Sequence, residues 1–130
     1  MKLVRERRGR EPGLFFVAKS RLDCLHPSFF DGPGDLVIEI VSPESVPRDT
    51  GDKFAEYQSG GVLEYWLIDP PSQQSSFFQR DANGLFQRVA LNADGIYYST
   101  GLPGIWVREE WFWQTPTPSM SAMRKEFWLP

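Results

Sequence analysis

The sequence predicts an α+β fold, a mixed sheet with one βαβ crossover helix followed by an antiparallel meander. Three observations carry this. A β-branched, nearly all-apolar run at residues 35–41 and a second apolar run at 64–69 flank an amphipathic segment at 49–59. Strand, helix and strand in this spacing form a βαβ unit, so the two runs should pair in parallel. Beyond Pro71 the pattern changes to short strands punctuated by turn residues, which reads as antiparallel pairing.

The elements follow in order. Residues 14–18, LFFVA, read as a short buried strand behind Gly9 to Pro12. Residues 19–34 are loop-rich and end in the turn signal Asp31-Gly32-Pro33-Gly34. The strand at 35–41 has the continuous apolar character of one covered on both faces, and Ser42-Pro43 ends it. In the helix at 49–59, Thr50 is placed to cap the N-terminus, and Phe54 and Tyr57 share a face. Gly60-Gly61 closes it. The strand at 64–69, EYWLID, stops at Pro70-Pro71. Strands at 75–80, 86–90 and 96–100 follow, with turns at 81–84 and 92–95; 105–107 adds a strand and 109–114 a helical turn.

Composition narrows the function. With 130 residues, 41% hydrophobic and 24% charged, the chain suffices for one domain. Nineteen aromatics, 5 Trp, 4 Tyr and 10 Phe, demand burial or a binding surface. One cysteine, Cys24, excludes an intrachain disulfide, and with the single histidine, His26, it cannot build an ordinary Cys/His zinc site. No apolar run approaches the roughly 18 residues of a membrane span. The basic start MKLVRERRGRE has no apolar stretch behind it, so a cytoplasmic location is expected.

Charge placement says more than the net of −3. Five of the 14 basic residues, Lys2, Arg5, Arg7, Arg8 and Arg10, lie in the first ten positions. Such an arm can hold phosphates by charge, or simply be a solvated terminus. From Asp31 to Asp69 there are nine acidic residues against two basic, Arg48 and Lys53. An acidic middle repels nucleic acid unless a divalent cation sits in it.

Glu39, inside LVIEIV, is the residue that needs explaining. A buried charge costs several kcal/mol unless it is paired or bound to metal. Either the strand is an edge and Glu39 meets solvent or an arginine, or Glu39 is a ligand for a hard divalent cation with a lysine nearby. Asp69 reads as a turn-starting residue, Trp106, Trp111 and Trp113 as packing, and Ser42 as a loop cap or phosphate contact.

The run GPGDLVIEIVSPESVPRDTGDKFAEYQSGGVLEYWLIDP resembles the core of the Uma2 family of restriction endonucleases, within the PD-(D/E)XK nuclease superfamily. The resemblance extends through REPGLFFVAKSRLD to LPGIWVREEWFWQ, about residues 10–114. It implies a restriction-endonuclease-like core, divided as a basic arm at 1–10, a core at 10–114 and a tail at 115–130 of one domain. It also implies metal-dependent hydrolysis of DNA phosphodiesters with Mg²⁺ or Mn²⁺. The family's strand glutamate, a metal ligand and catalytic residue, falls on Glu39. Superfamily members often place lysine two residues further on, where this chain has Val41; in this family the lysine comes from the next helix and matches Lys53. Without the resemblance, Lys53 reads as a surface lysine paired with Asp49.

The family pattern Arg-Glu-Pro-Asp reads Arg10-Glu11-Pro12-Gly13 here, so one of two anchoring carboxylates is replaced by glycine. Asp35 shares the strand face of Glu39 but stands roughly 13 Å away by strand geometry, and Glu11 has the opposite parity. Asp35, Ser42 and Glu11 are therefore supporting residues at most, and Arg5, Arg7, Arg8 and Arg10 the expected DNA contacts. Relatives carry further elements ahead of this segment, so a shortened chain with an uncovered edge beside residues 14–17 is expected, which a homodimer could cover. The expectation is an endonuclease weakened by Gly13, or an inactive domain that binds DNA or a protein.

Overall fold

The computed structural model describes residues 14–26, 31–41 and 47–114. Among these residues seven strands and one α-helix appear in the order β1 (Leu14–Phe16), β2 (Leu36–Ile40), α1 (Pro47–Gly60), β3 (Glu64–Asp69), β4 (Gln74–Arg80), β5 (Phe86–Val89), β6 (Ile96–Tyr98) and β7 (Trp106–Arg108). Short 3-10 helices span Lys19–Cys24 and Glu109–Phe112.

The first five strands form one sheet in sequence order. β2 and β3 pair in parallel, with Glu39 opposite Leu67, so α1 is the expected crossover. The other pairs, β1 with β2, β3 with β4 and β4 with β5, are antiparallel. The meander leaves this sheet after β5: β6 and β7 form a separate two-stranded sheet. The turn before β6 turns the chain away, with the Asn92 Oδ1 accepting the N–H groups of Asp94 and Ile96 and Gly95 at φ +74°.

Strand parity sorts the apolar residues into two layers. Val37 and Tyr65 point toward α1 and pack with Tyr57, Val62 and Phe86. Leu36, Trp66, Ile68 and Phe77 point the other way and pack with Tyr97, with Phe112 and Trp113 against them. Aromatic pairs bind adjacent strands: Tyr65 stacks on its cross-strand partner Phe78, and Trp66 meets Phe77 edge-on. The tryptophans at the end of the fold are packing residues, Trp106 stacked on Trp111 and Trp113 against the second layer.

The helix starts two residues before the sequence expectation, at Pro47, so Thr50 stands inside its first turn and is not its N-cap. Proline suits the first helical turn because its fixed φ is helical and its missing N–H has no partner there. The C-terminus closes as expected: Gly61 takes φ +96°, and the Val62 N–H reaches back to the Tyr57 carbonyl at 3.2 Å. Arg80 then donates to the Gln58 carbonyl, which ties the end of the helix to β4.

At the other margin of the sheet stands β1. Its neighbour is β2 alone among the described residues. Leu14 and Phe16 remain exposed there, as does Ile40 at the end of β2.

Candidate active site

Glu39 occupies an interior strand, between β1 and β3, on the face covered by α1. It is 8% exposed. The edge-strand alternative for Glu39 therefore does not hold. It also lies one step beyond the Leu14–Ile38 pair, at the end of the ladder where β1 begins.

The helix supplies its partners. Lys53 and Tyr57 stand four residues apart, one turn of helix, and so share a face. The Lys53 Nζ lies 3.5 Å from Glu39 Oε2, and the Tyr57 hydroxyl donates to Oε1 at 2.6 Å. Each carboxylate oxygen is thus held by a different residue of the same helical face. Tyr57 is itself fully buried, whereas the side chain of Lys53 keeps 27% of its surface. The Lys53 side chain is thus partly open to solvent beside a buried carboxylate.

A third hydroxyl stands close by. Tyr65 projects from β3 on the same face, its ring 5.4 Å from that of Tyr57. It is fully buried, and its hydroxyl has no hydrogen-bond partner among the described residues. Burial and, second, the negative charge of Glu39 push its phenol above the usual tyrosine range.

Asp35 does not join this cluster. Its carboxylate accepts from the Ala18 N–H at 2.5 Å and from the Arg21 guanidinium at 2.9 Å, which fastens the first 3-10 helix to the start of β2. Asp69 holds a turn, its Oδ1 accepting from the Ser72 N–H at 3.4 Å. Arg5, Arg7, Arg8, Arg10, Glu11, Gly13 and Ser42 lie outside the described residues. Among the described residues no group of three His, Cys, Asp or Glu side chains could hold a metal ion. No described helix is long and apolar enough to cross a membrane.

Two features escaped the sequence reading. Tyr57 was visible only as an apolar-face residue, although its i, i+4 relation to Lys53 was a usable signal. Glu64 gave no signal, since a glutamate at the start of EYWLID reads as a strand boundary. It is fully buried and accepts five hydrogen bonds. The Trp66 indole and the Tyr97 hydroxyl donate to Oε2 at 2.7 and 2.8 Å. Ser99 Oγ and the N–H groups of Thr100 and Gly101 donate to Oε1 at 2.7, 3.0 and 2.7 Å. Glu64 lies on the face opposite Glu39 and joins the β6–β7 sheet to β3.

Comparison with known proteins gives this geometry a setting. A family model, Uma2, described as "Putative restriction endonuclease", matches residues 1–110. Among solved structures, one described as "a putative nuclease belonging to DUF820 from Anabaena variabilis ATCC 29413" is similar at a TM-score of 0.50 and 16% identity. The match covers 85% of this chain and 57% of that one, so this chain spans little more than half that protein's length. A search of curated proteins found no match.

Proposed function

This chain belongs to the Uma2 family, and we propose from that premise that it is a metal-dependent DNA endonuclease working with one anchoring carboxylate. The observation that carries the reading is the contact between Glu39 and Lys53. A buried strand carboxylate and a helix ammonium, far apart in sequence, meet at 3.5 Å at the edge of solvent. That is the pair the family resemblance implies.

Among the described residues, Glu39 is the carboxylate that would hold a divalent ion in this reading. Each carboxylate oxygen has two lone pairs, and Tyr57 and Lys53 occupy one on each, so capacity remains on both. Mg²⁺ or Mn²⁺ would be held there with waters in its shell, and when bound it supplies Lewis-acid polarisation of the phosphodiester. The chain's own residues do the rest. Tyr57 fixes the carboxylate against rotation. Lys53 contributes positive charge for the phosphate and a donor that orients the attacking water. The basic arm of Arg5, Arg7, Arg8 and Arg10 adds sequence-independent attraction to DNA. Asp35, Ser42 and Glu11 are not needed in this reading. A second copy laid against β1 would cover Leu14 and Phe16, and a sedimentation mass of one chain at micromolar concentration would remove that proposal.

A second reading is favoured by one residue. Gly13 stands where the family has its other carboxylate, so an inactive domain that binds DNA or a protein is the alternative. Supercoiled-plasmid cleavage with Mg²⁺ or Mn²⁺ decides between them. The nuclease reading predicts nicking that EDTA and Glu39→Ala abolish; binding of the plasmid without nicking would establish the alternative.

A further inference from the structure

The unpartnered hydroxyl of Tyr65 is the one buried side-chain polar atom among the described residues without a hydrogen bond. Leaving such a group unsatisfied is costly, and buried polar groups in folded proteins nearly always find protein or water partners. A phenylalanine at this position would keep the stack on Phe78 and Phe86 without that cost. The hydroxyl therefore calls for a partner.

Its surroundings say where the partner is. Most of the ring's neighbours, Phe54, Phe78 and Phe86, are apolar. Tyr57 already donates its hydrogen to Glu39. Val37 is the cross-strand partner of Tyr65, and Glu39 stands two residues further along β2 on the same face, which makes its carboxylate the neighbouring acceptor. Glu39 keeps free lone pairs, and no direct Tyr65–Glu39 bond forms. A water between them has an acceptor in the carboxylate and a donor in the phenol, the polar lining a buried water requires.

We propose that Tyr65 is a positioning residue of the Glu39 centre, its hydroxyl donating to a buried water that hydrogen-bonds the Glu39 carboxylate. Glu39 is then held from three sides, by Lys53, by Tyr57 and through water by Tyr65. This rests on the nuclease reading only for its consequence in catalysis; the water itself does not depend on it. Residues that orient a metal ligand commonly change ion affinity or activity tenfold or more when removed.

Tyr65→Phe tests the proposal with three readouts on the full chain. Thermal unfolding in EDTA separates the two physical states of the hydroxyl. If it is held by water, the variant melts at or below the unmodified protein; if it is truly unpartnered, the variant melts higher, by about 3–5 °C. A high-resolution crystal structure should show a water within hydrogen-bond distance of both Tyr65 Oη and Glu39. Mn²⁺ titration followed by electron paramagnetic resonance should show about a tenfold weaker site in the variant. A raised melting temperature, a dry gap or an unchanged Mn²⁺ affinity overturns the positioning role. Failure of the nuclease reading is distinct from these, since it appears as no Mn²⁺ binding by the unmodified chain while the melting and crystallographic results still decide the water.

Discussion

Replacing Glu64 by glutamine should cost the protein about 2–4 kcal/mol of stability, and the reason lies in the count of donors. Five N–H or O–H groups point at this carboxylate, and a carboxylate is an acceptor on both oxygens. The amide of glutamine keeps one acceptor and places an NH₂ on the other side. On the Oε1 side the NH₂ would confront two fixed backbone donors, at Thr100 and Gly101. On the Oε2 side the Tyr97 hydroxyl can rotate and accept, so that only the Trp66 indole is left facing a donor. The amide therefore takes the second orientation. One orphaned buried N–H costs about 1–3 kcal/mol, and the exchange of charge-assisted for neutral bonds adds to it. Urea unfolding followed by circular dichroism measures the difference, and a fall in Tm of about 10 °C should accompany it. Glu64→Ala should be worse, because all five donors lose their acceptor at once. A glutamine variant within about 1 kcal/mol of the unmodified protein would refute the argument that Glu64 is what fastens the β6–β7 sheet to β3.

Tyr57→Phe removes the 2.6 Å bond to Glu39 and should destabilise the fold by about 1.5–3 kcal/mol, read by urea denaturation; an unchanged midpoint would mean the carboxylate does not depend on it. Acid should loosen the β4–β5 turn. The N–H groups of Leu85 and Asn83 and the Gln87 amide hold the Asp81 carboxyl below its usual range. A folded-state value below the unfolded one gives stability that is present above the unfolded value and lost as pH falls through the folded one. The protection of the Leu85 amide, its exchange relative to the intrinsic rate at each pH, should therefore fall below the ordinary aspartate range, and Asp81→Ala should remove that fall in protection.

Much of the fold was legible because its signals are local. The runs around Leu36–Ile40 and Glu64–Asp69 are long enough and apolar enough to mark buried strands, and the glycines at 60 and 61 end the helix between them. The helix start was misplaced because Thr50 fits the N-cap preference, whereas the helix opens earlier on Pro47, which fits the first helical turn. Departure of β6 from the main sheet was hidden because short strands with turns between them read alike whether they continue a sheet or leave it. The β6–β7 sheet is fastened through Glu64, whose donors come from positions 66 and 97–101, a convergence only the folded chain makes. The candidate site divides in the same way. Glu39 was conspicuous as a charge among apolar neighbours, and Lys53 was located by resemblance, whereas the orienting Tyr57 and the buried Tyr65 look in sequence like two more aromatic core residues.

If Glu39 and Lys53 form a centre limited by the residue at position 13, a carboxylate restored there should speed cleavage. Plasmid nicking in Mn²⁺ by Gly13→Asp, measured against the unmodified chain, tests it most directly. Gly13→Asp should nick faster, and adding Glu39→Ala should abolish the nicking. Equal rates in the two chains, or nicking that survives the loss of Glu39, would contradict it.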